Sequence, residues 1–216
     1  MPTPPRDDFV RTKLILASAS PRRREILQAA GFEFEVVPAA VREERLPGES
    51  PEQFVRRMAT EKAEAALDRL AHACAAPIIS PIVSPILGAD TEVVLGDETL
   101  GKPSSADDAR RMLRLLSGKQ HRVLTGLCLL APPQTWPSPP SELRRDIRIA
   151  STSVRFSKLT EEEIEEYVAS GEAFDKAGGY AIQGLASKYV EEIQGCYFNV
   201  VGLPVSLLYQ MLQQLP

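Results

Sequence analysis

Two kinds of apolar pattern take turns along the chain. Short runs suit strands, and stretches with apolar residues every three or four positions suit helices. Lys13 to Ala17 reads as a short buried strand. Ser20 then suits an N-cap and Pro21 the first helical position, Ile26, Leu27 and Ala30 follow at helical spacing, and Gly31 stops the helix. "FEFEVVP" alternates as a strand. Ser50, Pro51 and Gln53 open a helix with a capping-box pattern, expected to run to about Leu70. "ILGADTEVVLG" reads as a strand bent at Gly88. "SSADDARRMLRLLSG" reads as a helix capped by Ser104 or Ser105 and ended by Gly118. "HRVLTGLCLLA" is an apolar strand, and "RRDIRIASTSVRFSKL" a long half-exposed one. "TEEEIEEYVASG" carries a second capping box, Thr160 with Glu163, and the glycine-rich loop "FDKAGGYAIQG" follows. "KYVEEI" and "CYFNVVG" flank "QG" as a hairpin, and "PVSLLYQMLQQL" closes the chain as an amphipathic helix. Pro77 to Ile86 and "PPQTWPSPPSE" are proline-punctuated connections. The order predicts an α/β protein with mixed parallel and antiparallel pairing. Two lobes around a cleft, changing over near the proline-rich segments, are expected.

Composition narrows the function classes. The 216 residues suffice for one sizeable domain. A formal net charge of −4 argues against a general nucleic-acid binder, so a basic site must be local. The longest apolar stretch, around Pro77 to Ala89, is broken by prolines and serines and is not read as a membrane span. "MPTPPRDDFVRT" lacks the apolar core of a signal peptide. Cys74, Cys128 and Cys196 are an odd count without metal-like spacing, which fits a reducing cytoplasm. His72 and His121 are the only histidines, too few for a histidine-based zinc site.

Against this background a few polar residues stand out. Arg22, Arg23 and Arg24 crowd the first turn of a helix, where the partial positive charge of the N-terminus disfavours cations. Each could curl into water, as Arg24 is expected to do. A bound anion would explain the cluster better, because free backbone N–H groups, Ser18, Ser20 and guanidinium forks suit phosphate. Lys62 shares a helical stripe with Val55, Ala59, Ala66 and Leu70, so it must snorkel or find an anionic partner. Asp90 follows an apolar strand, where a sheet's ligands tend to sit, although strand-end aspartates are common turn formers. Lys102 precedes a rigid proline. Gln183 ends a glycine-rich loop and offers donor and acceptor together, as the polar edge of a base requires.

Taken in order, "LASASPRR", "GESPEQFVRRMATEKA", "GADTEVV", "LGKP", "SGEAFDKAGGYAIQG" and "NVVGLP" resemble the Maf family of nucleoside triphosphate pyrophosphatases from Leu14 to about Leu212. The resemblance implies a deep-cleft α/β fold related to inosine triphosphate pyrophosphatases. Residues 13–216 would form a single domain of two lobes behind a disordered or loosely packed segment 1–12. It implies hydrolysis between the α- and β-phosphates, giving a nucleoside monophosphate and pyrophosphate, and suggests a homodimer. By motif, Asp90 would be the catalytic acidic residue, and Ser18, Arg22 and Arg23 would hold phosphates. Glu43, Lys62 and Lys102 would complete the polar site, and Arg22, Thr91 and Gln183 match the specificity positions. "FDKAGGYAIQG" looks like the branch acting on dTTP and UTP rather than the sister branch acting on 7-methyl-GTP. "VREE" departs from the family's Asp-Glu: Glu43 aligns with the glutamate, or Glu44 if the register slips by one.

Physical chemistry adds an expectation about water. Cations around Asp90 should depress its pKa and weaken it as a base. Activation is therefore assigned to Mg²⁺ or Mn²⁺ held by Asp90, Glu43 and phosphate oxygens. A non-catalytic nucleotide sensor regulating division or growth would use the same cations for binding alone. It would gain nothing from carboxylates beside a polyanion.

Overall fold

A computed structural model of the chain describes residues 13–73, 84–131 and 143–215. The terminal segment 1–12 and most of both proline-rich connections therefore lie outside the described residues. β1 (Leu14–Leu16), α1 (Pro21–Ala29), β2 (Phe34–Val36) and α2 (Pro51–Ala73) come first. β3 (Ile86–Leu95), β4 (Glu98–Leu100), α3 (Ala106–Leu116), β5 (Gln120–Ala131) and β6 (Arg144–Phe156) follow. α4 (Glu161–Ala169), β7 (Val190–Gln194), α5 (Tyr197–Val201) and α6 (Val205–Gln213) complete the chain. Ser20 precedes α1 with Pro21 in its first turn, but its side chain makes no cap bond; the other start signals behave as their chemistry dictates. Ser50 and Gln53 bond each other's backbone N–H reciprocally, as do Thr160 and Glu163. Of the two candidate serines, Ser105 caps α3, its hydroxyl accepting from the Asp108 N–H.

Seven strands form one mixed sheet in the order β2-β1-β3-β5-β6-β7, with β4 added to β3. β1 runs parallel to β2 and β3, and the remaining pairs are antiparallel. Strand alternation divides the core. Ile15, Ile86, Cys128 and Leu130 pack with α2, whereas Leu16, Leu87, Leu127 and Leu129 face the core shared by the other helices.

Two expectations are corrected. Gly88 does not bend its strand, because the β3–β5 ladder runs unbroken through the Gly88–Cys128 pair. The glycine admits α2 instead: a Cβ there would lie 2.0 Å from the Ala59 carbonyl oxygen. Nor do "KYVEEI" and "CYFNVVG" form a hairpin. The first is β7, paired with β6, and the second is the short helix α5. The fully buried Asn199 side chain draws α5 onto the sheet, donating to the Val123 carbonyl (2.9 Å) and the Thr152 hydroxyl (3.0 Å). That polar demand outweighs the strand propensity of "YFNVV".

Candidate active site

The site opens where β3 has no strand beside it. On one edge β3 pairs with β1 only at Ile86 and Leu87, and with β4 only from Val93 to Leu95. In the stretch between, Asp90, Thr91 and Glu92 border a cavity of about 830 Å³. Of the residues singled out above, Ser18, Arg22, Arg23, Glu43, Lys62, Asp90, Thr91, Lys102 and Gln183 line it, whereas Arg24 and Glu44 do not.

Arg23 occupies part of the missing-strand gap. It is buried, and donates to the carbonyls of Ala89 (2.9 Å) and Gly202 (2.9 Å) and the hydroxyls of Ser18 (3.1 Å) and Thr91 (3.2 Å). Four of its five N–H donors are thus committed to protein, leaving one for a ligand. Burial draws its pKa below the usual guanidinium value, against the pull of Asp90 and Glu43. Arg22 is only partly buried and reaches the glycine-rich loop, donating to the carboxylate (2.8 Å) and the main-chain oxygen (3.1 Å) of Asp175. Arg24 is exposed.

Lys62 does not snorkel. It is 7% exposed, and its ammonium lies 2.6 Å from Oδ1 of Asp90 and 2.5 Å from Oε1 of Glu43. The mostly exposed Lys102 reaches the other oxygen of Glu43 at 3.3 Å. Glu43, not Glu44, faces these cations; Glu44 pairs with Arg42 on the surface. The segment carrying Glu43 has no regular structure and is tied to α2 by Arg57, which bonds the Glu44 carbonyl and the Glu49 carboxylate.

The carboxylates divide by environment. Burial pushes Asp90 above the ordinary carboxylate range and outweighs Lys62 and Arg23, so the expectation of a depressed value is wrong. The reason is depth: Asp90 is 6% exposed, and lost hydration disfavours its charge more than the neighbours favour it. Burial also pushes Glu43 up, but Lys62 and Lys102 prevail and hold it below the usual value. Glu92 was overlooked in the sequence. It lies two residues from Asp90, so strand alternation puts both on the α2 face. Burial, with the Asp90 charge beside it, pushes Glu92 up to about 7, and its Oε2 is buried without a partner. The spacing of Asp90 and Glu92 was the available signal.

His121 and Tyr180 form a second polar contact, with 2.8 Å between the histidine Nε2 and the Tyr180 hydroxyl. Burial drives His121 down to about 4. The unfolded chain takes up this proton near pH 6.5 and the folded chain only near 4, so folding stability contributed here is lost as pH falls through that window. Between pH 7 and pH 5 the loss is roughly 2 kcal/mol. Glu92 acts in the opposite sense, so the effect is read by comparing urea unfolding of the parent and His121→Gln at both pH values. The variant is expected to lose less stability on acidification; an equal loss would show that His121 titrates normally.

Oxygen donors suited to a hard divalent cation are present. Lys62 engages only Oδ1 of Asp90, and Glu92 Oε2 has no partner. Among the described residues no three His, Cys, Asp or Glu side chains form a ready metal cage. Magnesium fits this setting nonetheless, since one or two carboxylates plus substrate phosphates commonly hold it. Among the described residues no helix is long and apolar enough to cross a membrane.

Comparison with known proteins agrees with the motif order. The family model described as Maf-like protein matches residues 13–215. A dTTP/UTP pyrophosphatase of Syntrophomonas wolfei is 46% identical over 197 residues, covering 91% of this chain and 94% of that protein. A protein of the same name from Chelativorans sp. is 48% identical over 195 residues, covering 90% and 87%. Among solved structures, the Staphylococcus aureus Ham1 protein matches with a TM-score of 0.49 and 13% identity, over 93% of this chain and 98% of that one. With a family match spanning nearly its whole length and relatives this similar, the chain belongs to the Maf family.

Proposed function

We propose that the protein hydrolyses dTTP and UTP to the nucleoside monophosphate and pyrophosphate. The observation that carries this reading is the Asp90–Lys62–Glu43–Lys102 chain of charges, beside the α1 arginines in one cavity, in a chain closely similar to dTTP/UTP pyrophosphatases. A triphosphate brings about four negative charges, and preorganised cations stabilise the further charge that develops as a nucleophile adds. Arg22 and the free N–H of Arg23, with Ser18 at the α1 N-terminus, are assigned to the phosphates, and so is the mostly exposed Lys102. Lys62 holds the carboxylates of Asp90 and Glu43 in place. Asp90, kept basic by burial, is assigned the proton of the water that attacks the α-phosphorus, while the bond to the bridging oxygen breaks and pyrophosphate leaves. Mg²⁺ or Mn²⁺ would be held by Asp90, by Glu43 once the exposed Lys102 turns to substrate, and by phosphate oxygens, and when bound would neutralise phosphate charge and acidify water. Thr91 and Gln183 are assigned to substrate selection. One domain of two lobes around this cavity, acting as a cytoplasmic homodimer on free nucleotides without stable nucleic-acid binding, completes the reading.

The test is a panel of dTTP, UTP, CTP and 7-methyl-GTP with Mg²⁺, products being identified by chromatography. Pyrophosphate and monophosphate from dTTP and UTP are expected. Tight UTP binding with no product would establish a sensor instead, and preferred cleavage of 7-methyl-GTP would place the protein in the sister branch.

A further inference from the structure

Between Gly178 and Gln183 the glycine-rich loop has little regular structure of its own. Gly178 and Gly179 both hold positive φ, 72° and 68°, conformations that side-chain-bearing residues rarely adopt. Its position is set by bonds to other elements: the Gly178 N–H to the Gly101 carbonyl (3.0 Å), the Ala181 N–H to the Tyr167 hydroxyl (3.0 Å), and Tyr180 to His121 (2.8 Å). Tyr180 lines the cavity; His121 stands behind it, 2% exposed.

His121 is an odd choice for that place. Its ring meets Phe156 and Tyr180 edge to face, at centroid distances of 5.2 and 5.4 Å, and Phe156 meets Tyr180 at 4.7 Å. An apolar ring would fill such a box as well. The imidazole leaves Nδ1 buried with no partner, which is costly. What it adds in return is one hydrogen bond to Tyr180, three residues before Gln183. Stability alone would favour a phenyl ring; positioning of the loop favours histidine.

We propose that His121 is a positioning residue for base recognition, holding Tyr180 so that the loop presents Gln183 to the pyrimidine ring. This rests on the function proposed above. The phosphate half of the cavity is built mainly from α1, α2 and the residues after β4, and it meets the loop at the Arg22–Asp175 pair, ahead of Gly178, so the two halves should respond separately.

The experiment measures steady-state turnover of UTP and dTTP, with inorganic pyrophosphate as an inhibitor that probes the phosphate half alone. Tyr180→Phe keeps the ring and its packing and loses only the hydroxyl, so it guards against a folding defect; His121→Phe and the double variant complete the set. In each, KM for UTP and dTTP is expected to rise roughly five- to tenfold, with kcat within about twofold, as loss of one bond implies. Inhibition by pyrophosphate is expected to stay at the parent value, and the double variant to be no worse than either single one. An unchanged KM in Tyr180→Phe, a parallel loss of pyrophosphate affinity, or additive effects in the double variant would overturn the assignment. Absence of turnover in the parent enzyme would overturn the underlying function and is seen before any variant is compared.

Discussion

Asp90→Asn is expected to lower pyrophosphate release from dTTP by on the order of a thousandfold or more while leaving the fold at least as stable. Asparagine keeps the shape but cannot take a proton. The stability half follows from burial: the folded state raises the pKa of Asp90, so its charge is a burden to folding at neutral pH. Removing that charge leaves Lys62 partnered by Glu43, 2.5 Å away. Lys62→Met should behave differently. It also abolishes turnover, but it leaves the buried Asp90 carboxylate without its ammonium partner and Glu43 with Lys102 alone, at a cost of about 3 kcal/mol. Urea midpoints and stopped-time pyrophosphate assays on both variants decide the matter. Parent-like turnover in Asp90→Asn would remove it from the chemistry, and an undisturbed midpoint in Lys62→Met would show that the buried pair carries no structural weight.

The second large effect concerns two glycines with no chemistry. A Cβ on Gly126, directly across from Asp90 in the β3–β5 ladder, would lie 2.3 Å from the Val55 carbonyl oxygen. One on Gly88 would lie 2.0 Å from that of Ala59. Both obstacles are the backbone of α2, the helix that carries Lys62, and no side-chain rotation relieves them. Overpacking usually costs about 1–3 kcal/mol. Here a whole helix must move, so Gly88→Ala and Gly126→Ala are each expected to cost about 3 kcal/mol or more, a large share of ordinary domain stability. Gly101→Ala is the control: nothing lies within 4 Å of its added carbon. A shift within about 0.5 kcal/mol is expected there. If all three variants unfold at the same urea concentration, the close approach of α2 is not what seats Lys62.

Much of this was legible before any coordinates. Lys62 betrayed itself by sitting on an apolar stripe, and Asp90 by ending an apolar run, because a charge in either place demands compensation. The capping boxes at Ser50 and Thr160 are local chemistry, complete within four residues, and they formed as read. α5 was misread because its anchor is not local: the Asn199 side-chain amide nitrogen donates to a carbonyl of β5 and a hydroxyl of β6, more than forty residues away by chain. Glu92 was missed for a related reason. A glutamate in an alternating strand normally faces water, and here the face it shares with Asp90 is the one that lines the cavity and meets α2.

The sequence by itself determined most of the helices and strands, α5 excepted, along with several polar groups that could not be idle and, through the ordered motifs, the family. Tertiary structure alone decided the burial of Asp90, and with it whether its neighbours or its desolvation set its basicity. It alone chose Glu43 over Glu44, committed four of the five Arg23 donors to acceptors from three parts of the chain, and placed His121 behind Tyr180. The reason is physical: capping and periodicity act over a few residues, whereas desolvation and the competition for hydrogen-bond partners depend on what the rest of the chain brings alongside.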